Sequence, residues 1–409
     1  MELEPETFII LRYSMALKYA ATKHDSKDCQ PDVPGLVYRW AGRIVVNQIP
    51  TDGYDRKSSR PVASADVLNC NPIDPTVLGS GWEREEIDSL FLVGGRGCPG
   101  QCTFCAKTHG TRVRVKNAAQ LIDEAQTLDE LVGRGVFRVS RWPLFAETDR
   151  DDLRGLDVAW LAVFDEDFFL DRRRALDFFA RWAQSPLRDR YRLNFQTNPC
   201  SLLLPSGEAD GELFGWIDRL KPMIQLGVES FHPGLLSRWR KRHDLDQLET
   251  ALQALEATRQ DYTAFQLLTD YETTPSELLD NLWTLTLASQ RFPRMRIAVN
   301  PYTIPLGGSD SKSLLDFASD APDDSSVRPF TEYEVPHPEW MDPTTVAIAE
   351  LADEQLQAAL HTKTRENAFQ GLWNALADYC SSVECAEKDL AAKANWFRAS
   401  FFHEKSKMQ

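Results

Sequence analysis

The feature that most restricts the fold of this chain is a regular succession of strand-like and helix-like segments in its central part. The strand-like segments are residues 158–164, 191–196, 224–229, 264–269 and 295–300. Apolar residues with helical spacing lie between them, as in residues 172–184 and 246–258. Strands and helices that alternate in this way are typical of parallel sheets built from βα units. The sequence therefore predicts an α/β fold.

Three of these strands alternate apolar and polar side chains, so that each has one polar face. Contact with solvent is one interpretation of such a face. The interpretation we favour is a polar cavity inside a partial barrel, because helices between the strands are expected to cover the outer face. The residues assigned to this cavity are Asn194, Gln196, Gln225, Glu229, Arg296 and Asn300.

Three cysteines follow the short apolar strand at residues 90–93. Cys98, Cys102 and Cys105 have the spacing C-x3-C-x2-C and place three thiols on one loop. A [4Fe-4S] cluster is usually held by four cysteines, so three leave one iron free to bind another group. A zinc site is an alternative, although zinc usually takes four ligands and the nearest further candidate is His109. Three buried structural cysteines are a second alternative, and we favour the cluster.

With Phe104 directly before the third cysteine, this motif resembles that of the radical S-adenosylmethionine (SAM) superfamily. Three further segments resemble the branch that contains the cobalamin-dependent enzymes and the methylthiotransferases. They are residues 114–117, 164–172 and 226–231. The resemblance covers roughly residues 90–315. It implies a partial (β/α)6 radical SAM barrel with a [4Fe-4S] cluster and SAM as cofactors.

The resemblance also implies roles for individual residues. Cys98, Cys102 and Cys105 would ligate the cluster, whose open iron would chelate the amino and carboxylate groups of SAM. The implied SAM contacts are Phe104 at the adenine, Asp165, Glu166 and Asp167 near the amino group, and Glu229 and Ser230 at the ribose hydroxyls. The alternative for the three acidic residues is that they complement the dipole of the following helix.

In this superfamily, reductive cleavage of SAM releases a 5′-deoxyadenosyl radical that removes hydrogen from a substrate. The resemblance therefore implies an enzyme acting on a small-molecule or peptide substrate. The candidate substrate contacts are Asn194, Gln196, Gln266, Arg296 and Asn300. Cys200 and Tyr302 are candidates for a catalytic role, Cys200 as a donor of a hydrogen atom. The alternative for Cys200 is a small buried side chain that fills space.

The chain departs from the enzymes it resembles outside the core. About 88 residues precede the core, which is short for a doubly wound cobalamin domain, and the motif Asp-x-His-x-x-Gly is absent. Cys29 and Cys70 alone do not provide the cysteine-bearing domain of the methylthiotransferases. A radical SAM methyltransferase or methylthiotransferase is therefore the alternative reaction. A non-catalytic Fe–S protein for electron transfer or interaction is the alternative of another class.

Four regions are expected along the chain. They are an irregular N-terminal segment of unknown role (1–88), the barrel core (89–315), a linker or covering loop (316–344) and a helical C-terminal extension (345–409). Cys380 and Cys385 fall in the extension, where a structural role is favoured over a second metal site.

Charge and hydropathy limit the partners. The formal net charge of −15 argues against a broad phosphate-binding surface, so we expect no nucleic-acid substrate. Lys107, His109, Arg112 and Arg114 form a local basic patch that is a candidate docking site for an acidic electron donor such as flavodoxin or ferredoxin. A solvated surface is the alternative. No apolar run approaches the about 20 residues that cross a membrane, and no signal peptide is evident, so we expect a cytoplasmic protein.

Overall fold

The structure is a computed structural model. It describes residues 37–40, 43–46, 54–55, 60–61, 86–87, 89–105, 110–135, 138–140, 142–143, 157–270, 272–300, 342–357, 365–383 and 389–408. Tyr302, Cys385, most of the predicted N-terminal segment and nearly all of the predicted linker lie outside the described residues.

Six parallel strands form the central sheet. They are β1 (Ser89–Leu92), β2 (Asp157–Val163), β3 (Tyr191–Thr197), β4 (Met223–Glu229), β5 (Tyr262–Leu267) and β6 (Met295–Asn300). Each strand pairs in parallel with the next one along the chain, so the order in the sheet is the order in the sequence. The strand Trp142–Pro143 pairs antiparallel with the start of β2, on the side of β2 away from β3. The carboxyl ends of all six strands therefore lie along one edge of the sheet.

Helices connect these strands and also follow the last of them. They are α1 (Ala118–Gly133), α2 (Arg172–Trp182), α3 (Gly211–Leu220), α4 (Pro233–Arg238), α5 (Leu245–Ala257), α6 (Pro275–Arg291), α7 (Pro343–Leu356), α8 (Arg365–Ser382) and α9 (Leu390–Met408). Helices α1 to α6 lie between successive strands, which confirms the predicted α/β class. In the described part of the chain, no helix combines the length and apolarity of a membrane span.

Short elements complete the described secondary structure. One-turn 3-10 helices are Phe168–Leu170, Pro186–Asp189 and Pro199–Leu202. Four two-stranded pairs stand outside the main sheet: Val37–Trp40 with Arg43–Val46, Tyr54–Asp55 with Arg60–Pro61, Glu86–Ile87 with Arg138–Val139, and Gly95–Arg96 with Arg114–Val115.

Side-chain caps fix where the helices begin. Asn117 starts α1 with a capping box, in which its side chain accepts from the Gln120 amide at 2.9 Å and the Gln120 side chain accepts from the Asn117 amide at 3.0 Å. Thr274 caps α6, where its side chain accepts from the Glu277 amide at 3.2 Å. The Glu277 carboxylate does not complete a capping box, because it binds Arg238 at 2.9 and 3.0 Å. A charge-assisted pair is stronger than a bond to an amide.

The two faces of the sheet differ as the alternating pattern predicts. In β3, Tyr191, Leu193 and Phe195 are buried among the helices. Arg192 and Asn194 are half-buried on the other face. We call this second face, with its alternate side chains on β3 to β6, the polar face; its members include Arg192, Asn194, Gln196, Gln225, Thr263 and Arg296.

The C-terminal helices pack on α6 and belong to the same hydrophobic core as the sheet. Trp373 of α8 donates from its indole nitrogen to the Thr286 hydroxyl at 3.1 Å. Trp283 stacks on Phe397 of α9 with ring centres 4.9 Å apart. The predicted helices of the C-terminal region are therefore present, and they cover α6 rather than standing apart from the core.

Candidate functional site

The cysteine loop leaves the carboxyl end of β1 and is closed at its base by a short antiparallel pair. Gly95–Arg96 pairs with Arg114–Val115. Above this pair, the amide of Cys98 donates to the carbonyl of Gly110 at 3.2 Å. The loop therefore holds its thiols at the edge where the strands end, which is where ligands bind in parallel α/β sheets.

Two glycines allow the loop to take this path. Gly97 has φ +92°, and an added Cβ would stand 2.2 Å from the carbonyl oxygen of Arg112. A Cβ on Gly100 would lie 3.3 Å from the sulfur of Cys98 and 3.8 Å from that of Cys102, so both sulfurs flank one turn. The Gly100 amide donates to the Cys98 sulfur at 3.4 Å.

Cys98 lies beside an ion pair formed by Asp167 and Arg242. Arg242 Nη1 donates to Asp167 Oδ2 at 3.2 Å. Burial is the main cause that raises the pKa of the Cys98 thiol, and Asp167 adds to it. The Gly100 amide and Arg242 act in the opposite direction and favour the thiolate.

Cys102 lies beside a second ion pair, between Glu229 and Lys241. Lys241 Nζ donates to Glu229 Oε1 at 3.3 Å and lies 5.7 Å from the centre of the Phe104 ring, within the range of a cation–π contact. Burial raises the pKa of the Cys102 thiol, while Lys241 lowers it. Phe104 also packs edge-to-face against Trp239, with ring centres 6.1 Å apart.

A Schellman turn after α4 brings these two cations to the loop. Arg240 has φ +53°, and its amide and that of Lys241 donate to carbonyls of the last helical turn at 3.1 and 3.0 Å. A left-handed backbone costs a residue other than glycine about 1–2 kcal/mol. The Trp239 carbonyl accepts from the Thr103 amide at 3.1 Å, which joins the turn to the cysteine loop.

Asp167 joins the carboxyl ends of β2 and β3. Its Oδ1 accepts from the Thr197 hydroxyl at 2.6 Å and the Asn198 amide at 3.4 Å. Its Oδ2 accepts from the Ser201 hydroxyl at 2.7 Å as well as from Arg242. Burial raises the pKa of this carboxyl, whose side chain is 1% exposed, and the hydroxyl donors and Arg242 lower it.

Asp165 has a different set of partners, although the sequence groups it with Asp167. Its Oδ2 accepts from Arg174 Nη2 at 2.5 Å, and both side chains are 3% exposed. Arg174 Nη1 donates to the Gly94 carbonyl at 3.0 Å. A Cβ on Gly94 would stand 2.5 Å from Asp165 Oδ1. Asp165 therefore ties β1, β2 and α2 together, and its partner is a buried arginine.

Glu166 borders the base of the cysteine loop. Burial raises the pKa of this half-buried carboxyl, while Arg96 and the Gly97 amide lower it. These contacts place the carboxylate beside the first residues of the loop. Of the three acidic residues, Glu166 and Asp167 therefore lie at the loop and Asp165 lies behind it.

Glu229 ends β4 at an irregular step. Its φ is +69°, and the pairing of β4 with β5 shifts register between Gly227 and Glu229. Such bulges re-aim side chains next to functional sites. A Cβ on Gly227 would lie 2.9 Å from Glu229 Oε1 and 3.5 Å from Lys241 Nζ, so glycine leaves room for this ion pair. Burial raises the pKa of Glu229, and Lys241 opposes that effect.

Ser230, the second residue assigned to the SAM ribose, is 0% exposed. Its hydroxyl donates to Asn281 Oδ1 at 2.8 Å and accepts from the His232 amide at 2.8 Å. Asn281 in turn donates to the Leu268 carbonyl at 3.1 Å. These bonds connect the start of α4 to α6. The Ser230 hydroxyl, which the resemblance assigns to SAM, is therefore bonded within the protein.

Three predicted substrate contacts lie on the polar face. Asn194 and Gln196 are two residues apart on β3. Gln196, Gln225, Thr263 and Arg296 are register partners across β3 to β6 and so form one row. Gln196 is exposed, which leaves its amide accessible from solvent.

Gln266 lies on the opposite face of β5. It shares that face with Tyr262 and Ala264, and it is 1% exposed. The residue of β5 on the polar face is Thr263, which is in register with Gln225 and Arg296. For Asn300 the structure describes only its place at the end of β6, not its side chain.

Cys200 lies in the one-turn helix Pro199–Leu202 after β3. Burial raises the pKa of its thiol, and Arg242 lowers it. The Cys200 amide donates to the Asn198 side-chain oxygen at 3.2 Å, and His243 Nδ1 lies 3.2 Å from the same oxygen. Burial lowers the pKa of His243 to about 3, so the ring is neutral at physiological pH.

The structure also bears on the zinc alternative and on the docking patch. Within the ranges it describes, no three His, Cys, Asp or Glu side chains are grouped so that they could hold one metal ion. Lys107 and His109 lie outside these ranges. Arg114 is buried, so it does not belong to a surface patch, whereas Arg112 is exposed.

Arg242 is the site residue that sequence analysis misses. It contacts Asp167 and lies 3.5 Å, through its Cδ, from the position of a Cβ on Gly100. The sequence does show an adjacent basic pair, Lys241-Arg242. The pair reaches the cysteine loop only because of the left-handed turn at Arg240. A left-handed arginine is not predictable from local sequence preferences.

No protein-family model and no curated protein sequence matches the chain. Solved structures do match. The cobalamin-dependent S-adenosylmethionine radical enzyme OxsB, with aqua-cobalamin and S-adenosylmethionine bound, has a TM-score of 0.54 and 15% identity over 93% of this chain and 57% of OxsB. The radical S-adenosylmethionine methyltransferase TsrM from Kitasatospora setae, with cobalamin and a [4Fe-4S] cluster bound, has a TM-score of 0.50 and 12% identity over 92% of this chain and 74% of TsrM.

The chain therefore spans little more than half the length of OxsB. At identities this low, what is shared is the fold. The chain therefore shares the fold of OxsB and TsrM over more than nine tenths of its length, and a fold of this kind is what the sequence resemblance implies.

Proposed function

We propose that this chain is a radical SAM enzyme in which Cys98, Cys102 and Cys105 ligate a [4Fe-4S] cluster. The observation that carries the proposal is the position of the cysteine loop. It leaves β1 at the edge of the sheet where β2 and β4 also end. There, Asp167 with Arg242 and Glu229 with Lys241 lie beside two of its thiols.

The residues of the loop fit such a cluster. Thiolates are the usual ligands of Fe–S clusters, and three of them leave one iron open. Gly100 lets the backbone run between two of the sulfurs. Burial raises the pKa of both thiols, and Arg242 at Cys98 and Lys241 at Cys102 act against that rise and favour the thiolate that iron binds.

When bound, the reduced cluster would supply one electron to SAM and so cleave its S–C5′ bond into methionine and a 5′-deoxyadenosyl radical, and that radical would take a hydrogen atom from the substrate. The residues of the chain hold SAM in place. We assign Glu166 and Asp167 to its ammonium group, because carboxylates accept charge-assisted hydrogen bonds. Phe104 is assigned to the adenine and Glu229 to the ribose. Asp165 and Ser230 support these groups from behind through Arg174 and Asn281.

The substrate is assigned to the polar face. Asn194, Gln196 and Arg296 offer amide and guanidinium groups that would orient a polar molecule below the cysteine loop. Cys200 is a candidate to return a hydrogen atom, since its thiol shares the charged surroundings of Arg242. A flavodoxin or ferredoxin is proposed as the electron donor, and Arg112 is the exposed described residue of its docking patch.

An anaerobic assay tests the proposal. Protein reconstituted with iron and sulfide, reduced with dithionite and incubated with SAM is expected to form 5′-deoxyadenosine, measured by liquid chromatography and mass spectrometry. Cys98→Ala is expected to lower this rate at least 100-fold, because a thiolate ligand is lost. Cys380→Ala is the matched control, since Cys380 is buried in α8. A fully loaded protein that forms no 5′-deoxyadenosine, with or without cell extract, would instead favour a non-catalytic Fe–S protein.

A methyltransferase is the second candidate function. It is favoured by the similarity of the fold to OxsB and TsrM, which are both cobalamin proteins. Protein that retains added hydroxocobalamin through gel filtration in an equimolar ratio would support methyl transfer. Protein that retains none would leave hydrogen abstraction as the reaction.

A further inference from the structure

Two arginines lie at the amino-terminal end of the polar face, away from the cysteine loop: each is the second residue of its strand. Arg192, the second residue of β3, donates from Nε to the Lys221 carbonyl at 3.2 Å, just before β4. Arg296 donates to Asp261 Oδ2 at 2.7 and 3.2 Å, just before β5. Lys221 and Asp261 precede the neighbouring strands β4 and β5, which lie about 4.8 Å apart, so both guanidinium groups are bonded at the same end of the sheet.

No carboxylate in the part of the chain that the structure describes forms an ion pair with Arg192. Its described contacts are the Lys221 carbonyl and the ring of Trp160, whose centre lies 5.1 Å from the guanidinium carbon. The carboxylate of Asp261 is bonded to Arg296. Burial is the main cause that lowers the pKa of Arg192 to about 10; the charge of Arg296 also lowers it, and the charge of Asp261 acts in the opposite direction.

A guanidinium in these surroundings is prepared to bind an anion. Its planar fork matches the two oxygens of a carboxylate or phosphate, and stacking on Trp160 fixes its plane. Next on the same face of β3, Asn194 Oδ1 is buried without a hydrogen-bond partner, and Gln196 is exposed. Polar groups therefore continue from Arg192 toward the end of β3 that borders the cysteine loop.

We propose that Arg192 and Arg296 bind an anionic group, a carboxylate or a phosphate, of the substrate. As a statement about the substrate, this inference rests on the proposed function. Arg192 and Thr197, at the two ends of β3, are five residues apart, which is about 16 Å along a strand. An anion bound at Arg192 leaves the rest of the molecule to extend toward the cysteine loop. The substrate class is therefore an elongated anion, with its reacting carbon on the order of 10 Å from the charged group.

Chemical modification of arginine tests this site with simple probes. The full-length, reconstituted protein is treated with phenylglyoxal, and peptide mass spectrometry gives the rate at Arg192. Inorganic phosphate and hexanoate are the probes, one for each source of the anion. At least one of them is expected to slow modification of Arg192 five-fold or more. Modification of Arg181, an exposed arginine on α2, is the internal control and is expected to be unchanged.

Substitution of the second arginine sharpens the result. In Arg296→Gln, protection of Arg192 by the same probe is expected to be lost, because Asp261 is then free to pair with Arg192. Arg188→Gln, at an exposed ion pair before β3, is the matched control and is expected to keep full protection. The proposal is overturned if neither probe protects Arg192 more than Arg181. It is also overturned if phenylglyoxal does not reach Arg192, or if Arg296→Gln leaves protection intact.

These outcomes are independent of the proposed reaction. Protection of Arg192 in a protein that forms no 5′-deoxyadenosine would retain the anion site and refute the enzyme. Formation of 5′-deoxyadenosine without protection at Arg192 would retain the enzyme and refute the anion site.

Discussion

At the scale of single residues, Gly97 has the strictest requirement in the cysteine loop. Its φ of +92° lies where L side chains are rare, and the carbonyl of Arg112 occupies the place of a Cβ at 2.2 Å. Backbone atoms cannot move aside as a flexible side chain can. The path of the chain into Cys98 therefore depends on this glycine.

Gly97→Ala is expected to cost about 1–3 kcal/mol of the free energy of unfolding and to reduce the bound iron to less than half, because the loop must shift. Gly133→Ala is the control: Gly133 ends α1 and has open space around its Cβ position, so alanine is expected to be neutral or to stabilise by up to about 1 kcal/mol. Urea unfolding and iron analysis of both variants measure this. Full iron loading by Gly97→Ala would contradict the role given to the loop.

Residue identities alone do not reveal how consecutive acidic residues divide their roles. The motif groups Asp165, Glu166 and Asp167, but the structure bonds Asp165 to Arg174 and Asp167 to hydroxyls after β3. Consecutive side chains of an extended chain point in different directions, and the partners lie elsewhere in the sequence. Ser230 shows the same limit, because Asn281, its partner, is on another helix.

At the scale of secondary structure, Asp210 sets the beginning of α3. Its side chain accepts from the Leu213 amide at 3.2 Å, and it forms an ion pair with Arg172 at the start of α2, with Arg172 Nη2 at 3.1 Å from Asp210 Oδ1. Burial raises the pKa of this carboxyl, but Arg172 and the amide lower it more, so the net pKa is lower than usual. One side chain therefore connects two helices.

Because the pKa of Asp210 is lower in the folded than in the unfolded chain, its contribution is present above about pH 4 and is lost as the pH falls further. Asp210→Asn keeps a capping side chain and removes the charge. It is expected to cost roughly 1–2 kcal/mol at pH 7, with the difference from wild type shrinking toward pH 3. Denaturant unfolding from pH 7 to pH 3 measures it. Asp189→Asn, at an exposed ion pair, is the control, and its free energy of unfolding is expected to change little. A difference between Asp210→Asn and wild type that stays constant with pH would contradict the assignment.

The sequence predicts the elements of the core better than their ends. Alternation and helical spacing locate β3 to β6 and α5. The start of β5 at Tyr262 is two residues earlier than predicted, and Gln266 lies on the face opposite to the one predicted for it, because alternation shows that a strand has two faces but not which of them is buried. The left-handed Arg240 and the bulge before Glu229 are beyond local patterns; next to Arg240, the Trp239 carbonyl accepts from the Thr103 amide of the cysteine loop, which is distant in sequence.

At the scale of the whole molecule, sheet order creates the site. Because six parallel strands follow one another in sequence order, residues as distant as Cys98, Asp167 and Glu229 reach one edge of the sheet. The alternation of strands and helices predicts such an edge. It does not predict that α7 to α9 cover α6, because a local pattern shows that a helix has an apolar face but not which element covers that face.

Electron paramagnetic resonance of the reduced, reconstituted protein tests the central claim most directly, namely that the three-cysteine loop holds a cluster with one iron open to SAM. The account predicts a [4Fe-4S]+ signal whose g values change when SAM is added, and its absence from Cys98→Ala prepared in the same way. A signal that SAM leaves unchanged, or that Cys98→Ala retains in full, would contradict it.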